Sequence, residues 1–190
     1  LIARLLIHRG AGSVPQAHDF LCADLGRLAP PTLMADLDRA VQRILHHAGR
    51  RGKILIVGDY DADGVTSAAL LFRTLRSLGA EVRTHIPHRI DDGYGLKARV
   101  VREAADAGVG LLISTDCGTT AFEELALAGS LGVETVVVDH HDLDPRGRPS
   151  CTALLNPLRP DSRYPEKELA SVGVAFTLAR GLAAEAGQEG

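Results

Sequence analysis

From Lys53 onward the chain repeats one pattern: a short apolar run rich in β-branched residues, a polar break, then a longer segment with helical spacing. Lys53–Gly58 predicts a first strand, and Val65–Leu78, stopped by Gly79, the helix after it. Glu81–Ile86 predicts a second strand, and Lys97–Ala107 a helix ending at Gly108. A third strand, Val109–Ser114, precedes a helix over Thr120–Leu131 that Gly132 ends. A fourth strand spans Val133–Val138, a weaker one lies near Ala153–Leu155, and Glu168–Glu185 is the last helix. Each helix is long enough to be a crossover connection. The expected fold class is α/β, a parallel β-sheet with helices on both faces.

The first part of the chain reads differently. Leu1–Ile7 and Pro15–Leu21 predict short helices on either side of a Gly-Ala-Gly-Ser turn, and Pro30-Pro31 closes that segment. Thr32 is the expected N-cap of a helix whose apolar face is Leu33, Leu37, Val41, Ile44 and Leu45, with Gly49 as its stop. His46 and His47 point about 100° apart on that helix, so they make no paired metal site and read as its solvated end. The expected organisation is a helical lead-in over 1–49, packed on the core, and an α/β domain over 50–190.

Polar residues capable of chemistry cluster where strands end. The first strand runs into Asp59, Asp61 and Asp63, and the second into His88, Arg89, Asp91 and Asp92. The third meets Asp116 and Cys117, and the fourth Asp139, His140, His141 and Asp142. Open α/β sheets bind ligands at that edge, so these groups are expected to share one site. Clustered carboxylates at the end of a buried strand repel one another and are costly to bury unpaired, a conflict that a divalent cation resolves. Carboxylates with imidazoles and no thiolate pair suit Mn²⁺ or Mg²⁺. Four or five carboxylates exceed what one such ion offsets; two ions about 3.5–4 Å apart, sharing a bridging Asp, fit better and activate water for attack on phosphorus. Cys117 reads as packing.

Other readings fail. The Asp-x-Asp-x-Asp-Gly run resembles half of an EF-hand loop, but its twelfth position is Leu70 where a bidentate Glu is needed. There is no P-loop and no nucleophile elbow, and Gly93-Tyr94-Gly95 lacks the third glycine of a dinucleotide fingerprint. His8, His18 and His85 have no partners in sequence and read as structural or surface residues.

Composition adds limits. The 190 residues are 45% hydrophobic and 24% charged, as in a globular domain with a proper core. Net charge is −3, so bulk charge does not advertise nucleic-acid binding, and 4% aromatics without Trp leave no visible stacking platform. Three dispersed cysteines read as reduced thiols in a cytoplasmic protein. No apolar run approaches a membrane span, and no signal peptide opens the chain. It starts at Leu1 and stops at Glu189-Gly190 just after a helical pattern, and is expected to be a fragment.

The assembled motifs resemble the DHH phosphoesterase family and, within it, the RecJ-like single-strand-specific exonucleases. Gly58–Leu71 is similar to the family's first motif in its RecJ form, and Ile86–Leu96 to the loop after the second strand. Leu111–Ala121 is similar to the second motif, and Val136–Leu143 carries the name-giving Asp139-His140-His141. Leu155-Asn156-Pro157, Leu169–Phe176 and the lead-in from Arg9-Gly10 through Met34–Ala40 extend the likeness over nearly the whole chain. The resemblance implies a Rossmann-like domain in which Asp59, Asp61, Asp63, Asp116 and His140 hold two Mn²⁺ or Mg²⁺ ions, with Asp116 as the bridge. It implies that Asp139 orients a ligand or joins the shell, that His141 contacts the scissile phosphate, and that Arg89 grips a phosphate at the 5′ end. The implied activity is 5′-to-3′ hydrolysis of single-stranded DNA to 5′-mononucleotides in repair and recombination. Its implied partners are single-stranded DNA, a single-strand-binding protein and a helicase, with no membrane and a monomeric state. Alternatives are a phosphodiesterase for short oligonucleotides or cyclic dinucleotides, and a non-catalytic DHH scaffold. Ser171 stands where the family usually has glycine, and the fourth motif's Asp, the second lobe and the nucleic-acid-binding modules are expected beyond Gly190.

Overall fold

Apolar residues two apart along each strand share a face while their neighbours take the other, and that alternation divides the core in two. In a computed structural model, which describes residues 1–22 and 24–187, β1 (Lys53–Gly58) sends Ile54 and Ile56 to one face and Leu55 and Val57 to the other. β3 (Val109–Thr115) does the same with Leu111 and Ile113 against Leu112, and β4 (Glu134–Val138) with Val136 and Val138 against Val137. The first face is covered by α3 (Leu37–Gly49), α4 (Ala62–Ser77) and α7 (Ser171–Glu185), the second by α5 (Ala98–Asp106) and α6 (Phe122–Ser130). With β2 (Glu81–His85) and β5 (Ala153–Leu155) the five parallel strands run in the order β2-β1-β3-β4-β5. The expected α/β architecture is present. The chain first steps outward from β1 to β2, then returns to β3 on the other side, so the carboxyl ends of β1 and β3 flank the switch point where such sheets open a binding crevice.

Three helices begin elsewhere than the sequence suggests, and each start is set by a carboxylate or a turn. Thr32 caps nothing: Pro31–Leu33 is a single 3-10 turn, and α3 starts at Leu37 after Asp36 adopts a left-handed conformation (φ 61°). α4 starts at Ala62 rather than Val65, because Asp61 accepts the Gly64 N–H at 3.0 Å and is itself the N-cap. α7 starts at Ser171 rather than Glu168, because Asp63 accepts the amides of Ser171 (2.7 Å) and Val172 (2.8 Å). The Ser171 hydroxyl donates to the Val138 carbonyl at 3.1 Å and pins α7 to the end of β4.

The lead-in packs on the core through α3, whose Leu37, Ala40, Val41, Ile44 and Ala48 are buried. α1 (Ile2–His8) and α2 (Val14–Leu21) bury no residue of their own, so among the helices of 1–49 the expected packing is confined to the last. His47 is not solvated either: its side chain is 14% exposed, lying against Gly52 and Gly110, with Nε2 3.6 Å from Glu134. Residues 188–190 of the expected domain lie outside the described residues. No helix among the described residues is long and apolar enough to cross a membrane, and the cysteines are unpaired there.

Asp36 is a structural keystone. Its Oδ2 accepts the Leu154 N–H at 3.0 Å and the guanidinium groups of Arg159 (2.7 Å) and Arg148 (2.6 Å), joining α3 to β5 and the loops around it. Burial opposes its charge, yet the Leu154 amide and Arg159 outweigh that and hold its carboxyl below the usual range. Asp36→Ala should lower the unfolding free energy by about 3 kcal/mol, since Arg159, 8% exposed, loses one of its two carboxylate partners. The parent's advantage should be complete above the unfolded carboxylate range and fade as acid protonates Asp36, which denaturant unfolding at neutral pH and in acid would show.

Candidate metal centre

The strand register builds the site. Gly58, Thr115, Val138 and Leu155 lie side by side across β1, β3, β4 and β5. The next residue on each strand is therefore level with its neighbours: Asp59, Asp116, Asp139 and Asn156. The ladder continues through them, with Asp59 N–H donating to Thr115 (3.2 Å), Asp116 to Val138 (3.0 Å) and Asp139 to Leu155 (3.0 Å). Three carboxylates and an amide thus stand in a row on hydrogen-bonded backbone. Asp116 turns out of β3 with a left-handed backbone (φ 61°), as Asp36 does before α3.

Two groups of potential ligand atoms share Asp116. One oxygen each from Asp59, Asp61 and Asp116 lie within 4.8 Å of one another, as do single atoms of Asp116, His140 and His141. His140 Nε2 sits 3.3 Å from Asp116 Oδ1 and 3.6 Å from Asp63 Oδ2, but not in hydrogen-bonding alignment with Asp116. Asp59 Oδ1 and Asp116 Oδ1 are buried without a hydrogen-bond partner among the described residues. Burial, with the charge of nearby Asp61, pushes Asp59 above the ordinary carboxylate range. Burial and the charges of Asp63 and Asp61 drive Asp116 up to about 8. Asp61 is held low chiefly by the Gly64 amide, which outweighs the opposing effect of burial. Buried acceptors without donors, crowded by like charge, are what a hard divalent cation would satisfy, and the donor set of carboxylates and imidazoles fits Mn²⁺ or Mg²⁺. Cys117 is buried, in neither group, with its thiol pushed up by burial.

Asp63 differs from its two neighbours. Both of its oxygens accept amides of α7, so it can ligate only through remaining lone pairs. Asp139, 1% exposed, is saturated. Oδ1 accepts His140 N–H (2.8 Å), His141 N–H (3.2 Å) and His141 Nδ1–H (2.8 Å), and Oδ2 accepts Thr119 N–H (2.9 Å). Burial works against its charge, but the His141 and Thr119 hydrogen bonds prevail and lower it to about 2. Reciprocally, the bond to Asp139 raises His141 to about 9, so its ring is cationic at neutral pH.

The end of β2 contributes less than expected. His88 pairs with Asp91 at 2.8 Å, and Asp92 binds the His88 N–H and Arg99, a local loop network outside both ligand groups. Arg89 is exposed, its guanidinium 5.1 Å from the centre of the Tyr60 ring, and it makes no ion pair among the described residues. Asp142 is exposed and in neither group. Tyr94, to which the sequence assigns no role in the site, reaches it: its hydroxyl lies 3.4 Å from His141 Nε2 and from the Asp116 carbonyl. Burial and the surrounding carboxylates push its phenol up. Thr119 and Asn156 lie in stretches that share the family likeness, Leu111–Ala121 and Leu155-Asn156-Pro157, but as neutral residues they suggest no role in the site.

The DHH family, N-terminal domain, matches residues 53–189. The single-stranded-DNA-specific exonuclease RecJ of Bacillus subtilis is 39% identical over 185 residues, 97% of this chain and 23% of that protein. RecJ of Escherichia coli is 38% identical over 180 residues, 94% of this chain and 30% of its own length. A crystal structure of RecJ in complex with Mn²⁺ from Thermus thermophilus superposes with a TM-score of 0.72 at 33% identity, covering 98% of this chain and 25% of that one. The chain therefore spans less than a third of the length of these relatives.

Proposed function

The chain belongs to the DHH family, and on that premise we propose that it is the catalytic portion of a metal-dependent exonuclease that hydrolyses single-stranded DNA from the 5′ end to 5′-mononucleotides. The observation that carries this reading is the row of Asp59, Asp116 and Asp139 at the switch point, with two buried carboxylate oxygens lacking donors. Mn²⁺ or Mg²⁺, held by Asp59, Asp61, Asp116 and His140 with Asp63 as an auxiliary, would activate water and offset charge on the phosphate. The protein's own residues supply orientation and protons. His141, fixed by Asp139 at Nδ1, presents a ring that in its protonated form can donate from Nε2 to a phosphate oxygen as charge develops, or to the departing 3′-oxygen. Arg89, unpaired and exposed at the mouth, can hold a terminal 5′-phosphate and so set polarity. The same reading places the protein in the cytoplasm as a monomer, where unpaired cysteines stay reduced. A helicase and a single-strand-binding protein would present its substrate.

The assay is Mn²⁺-dependent release of mononucleotides from a 5′-phosphorylated single strand by the full chain, beside a dinucleotide and a duplex. His140→Ala should lower kcat by about a thousandfold. Undiminished turnover in that variant would sink the mechanism, and hydrolysis of the dinucleotide alone would move the substrate to short oligonucleotides. Arg89→Ala should raise KM about tenfold on a 5′-phosphorylated strand and leave a 5′-hydroxyl strand unaffected. Equal effects on both would remove Arg89 from its assigned role.

A further inference from the structure

The fourth member of the strand-end row is Asn156, directly after β5 and fully buried. Its amide is completely used. Nδ2 donates to the His141 carbonyl at 2.8 Å and to Thr119 Oγ1 at 3.2 Å, while Oδ1 accepts the Leu158 N–H at 2.9 Å across Pro157. One side chain therefore ties together the loops that follow β3, β4 and β5. The partners it selects are the two that define His141. The first is the backbone of His141 itself. The second is Thr119, whose N–H binds the same Asp139 carboxylate that holds His141 Nδ1.

We propose that Asn156 is a positioning residue that sets the orientation of the His141 imidazole by donating to its carbonyl and bracing Thr119 beneath Asp139. The proposal rests on the exonuclease reading only for its kinetic consequence; the geometric claim stands apart from it. An asparagine is required because the site needs two donors on one branch and one acceptor on the other. Aspartate has the same shape, keeps the Leu158 contact and places an acceptor against the His141 carbonyl. That substitution inverts the bond to His141 without emptying the site.

The test is Asn156→Asp in the full chain, read two ways. In ¹⁵N-labelled protein, the parent should show a downfield His141 Nδ1–H proton that exchanges slowly because Asp139 holds it. In the variant that proton should exchange at least about tenfold faster. In the Mn²⁺ assay, kcat should fall about thirtyfold while KM and Mn²⁺ affinity stay within about twofold, the range expected for a residue supporting the reacting groups from behind. Should Asn156→Asp fail to fold, Thr119→Val removes the same brace from the other side, keeps its backbone bond to Asp139, and should show the same split at about fivefold. A parent-like His141 proton with parent-like kcat overturns the proposal. A joint loss of KM, Mn²⁺ affinity and melting temperature also overturns it, since that pattern marks a purely structural amide. A parent chain with no nuclease activity would count against the exonuclease reading, and the proton measurement would still decide for or against Asn156.

Discussion

Asp116→Asn should make the metal-free protein more stable and the metal-loaded protein less stable than the parent, while turnover falls about a thousandfold. The three carboxylates of Asp59, Asp61 and Asp116 lie within reach of one another, and two of them are almost fully buried. Without a cation, folding brings these like charges out of water and together, and Asp116 carries most of that strain: its carboxyl rises from 3.8 to about 8. A group whose folded pKa is raised above its unfolded value opposes folding once the unfolded form ionises. The penalty is absent below about pH 4, grows with pH, and is complete near pH 8. Asparagine keeps the shape and never ionises, so in the presence of a chelator it should gain about 2 kcal/mol at pH 8 and nothing at pH 4. Added Mn²⁺ should reverse the order, because only the parent offers an anionic carboxylate at the residue shared by both ligand groups. Denaturant unfolding at both pH values, with chelator and with Mn²⁺, gives four comparisons. A parent more stable than the variant in chelator at pH 8 would contradict the account of Asp116 as a strained carboxylate awaiting a cation.

The sheet and the acidic side of the site are legible in the sequence for one shared reason. Past its first residue a buried parallel strand is largely apolar and uncharged, so a carboxylate directly after it stands out. That contrast marks Asp59, Asp116 and Asp139, and β1 (Lys53–Gly58) and β5 (Ala153–Leu155) have the bounds the sequence pattern suggests. Helix starts are harder, because two of the three decisive groups are tertiary or conformational. Asp63 caps α7 from 108 positions away, and Asp36 stops the preceding turn by adopting a left-handed backbone while its carboxylate serves β5. Local propensity contains neither fact.

The polar residues divide the same way. His88, Asp91 and Asp92 resemble site residues because they follow a strand, yet they satisfy one another and Arg99 within their own loop. His47 suggests a solvated group because it ends a helix, yet Gly52 and Gly110 leave room for its ring against the sheet. Thr119 and Asn156 are inconspicuous because neutral hydrogen-bonding residues are common in loops. Only the register, which sets Leu155 beside Val138, reveals that Asn156 continues a row of carboxylates.

Gly64→Ala should cost about 3 kcal/mol or more and remove Mn²⁺ binding together with it. A Cβ on Gly64 would stand 2.5 Å from the amide nitrogen and 2.5 Å from the carbonyl oxygen of Asp59, and 2.7 Å from its Cα. All three are backbone atoms, so no side-chain rotation can relieve the contact. Either the first turn of α4 lifts away or the end of β1 moves. α4 is anchored below by Leu71 and Leu75 in the core, and Asp59 is held by its bond to Thr115, so neither shift is small. Both would also separate Asp59 from Asp61, which sit on opposite sides of that contact. The closeness of backbone at Gly64 is therefore the physical reason that three aspartates can stand at alternate positions and still present two oxygens to one ion. Gly129→Ala is the matching control: nothing lies within 4 Å of the place its new methyl group would take on α6, and the change should stabilise by about 0.5–1 kcal/mol through helix propensity alone. Urea unfolding and Mn²⁺ calorimetry on both variants would check the pair. Parent-like stability in Gly64→Ala would show that the strand-to-helix turn can open without cost, and preserved Mn²⁺ affinity would show that Asp59 and Asp61 need not be held together by it.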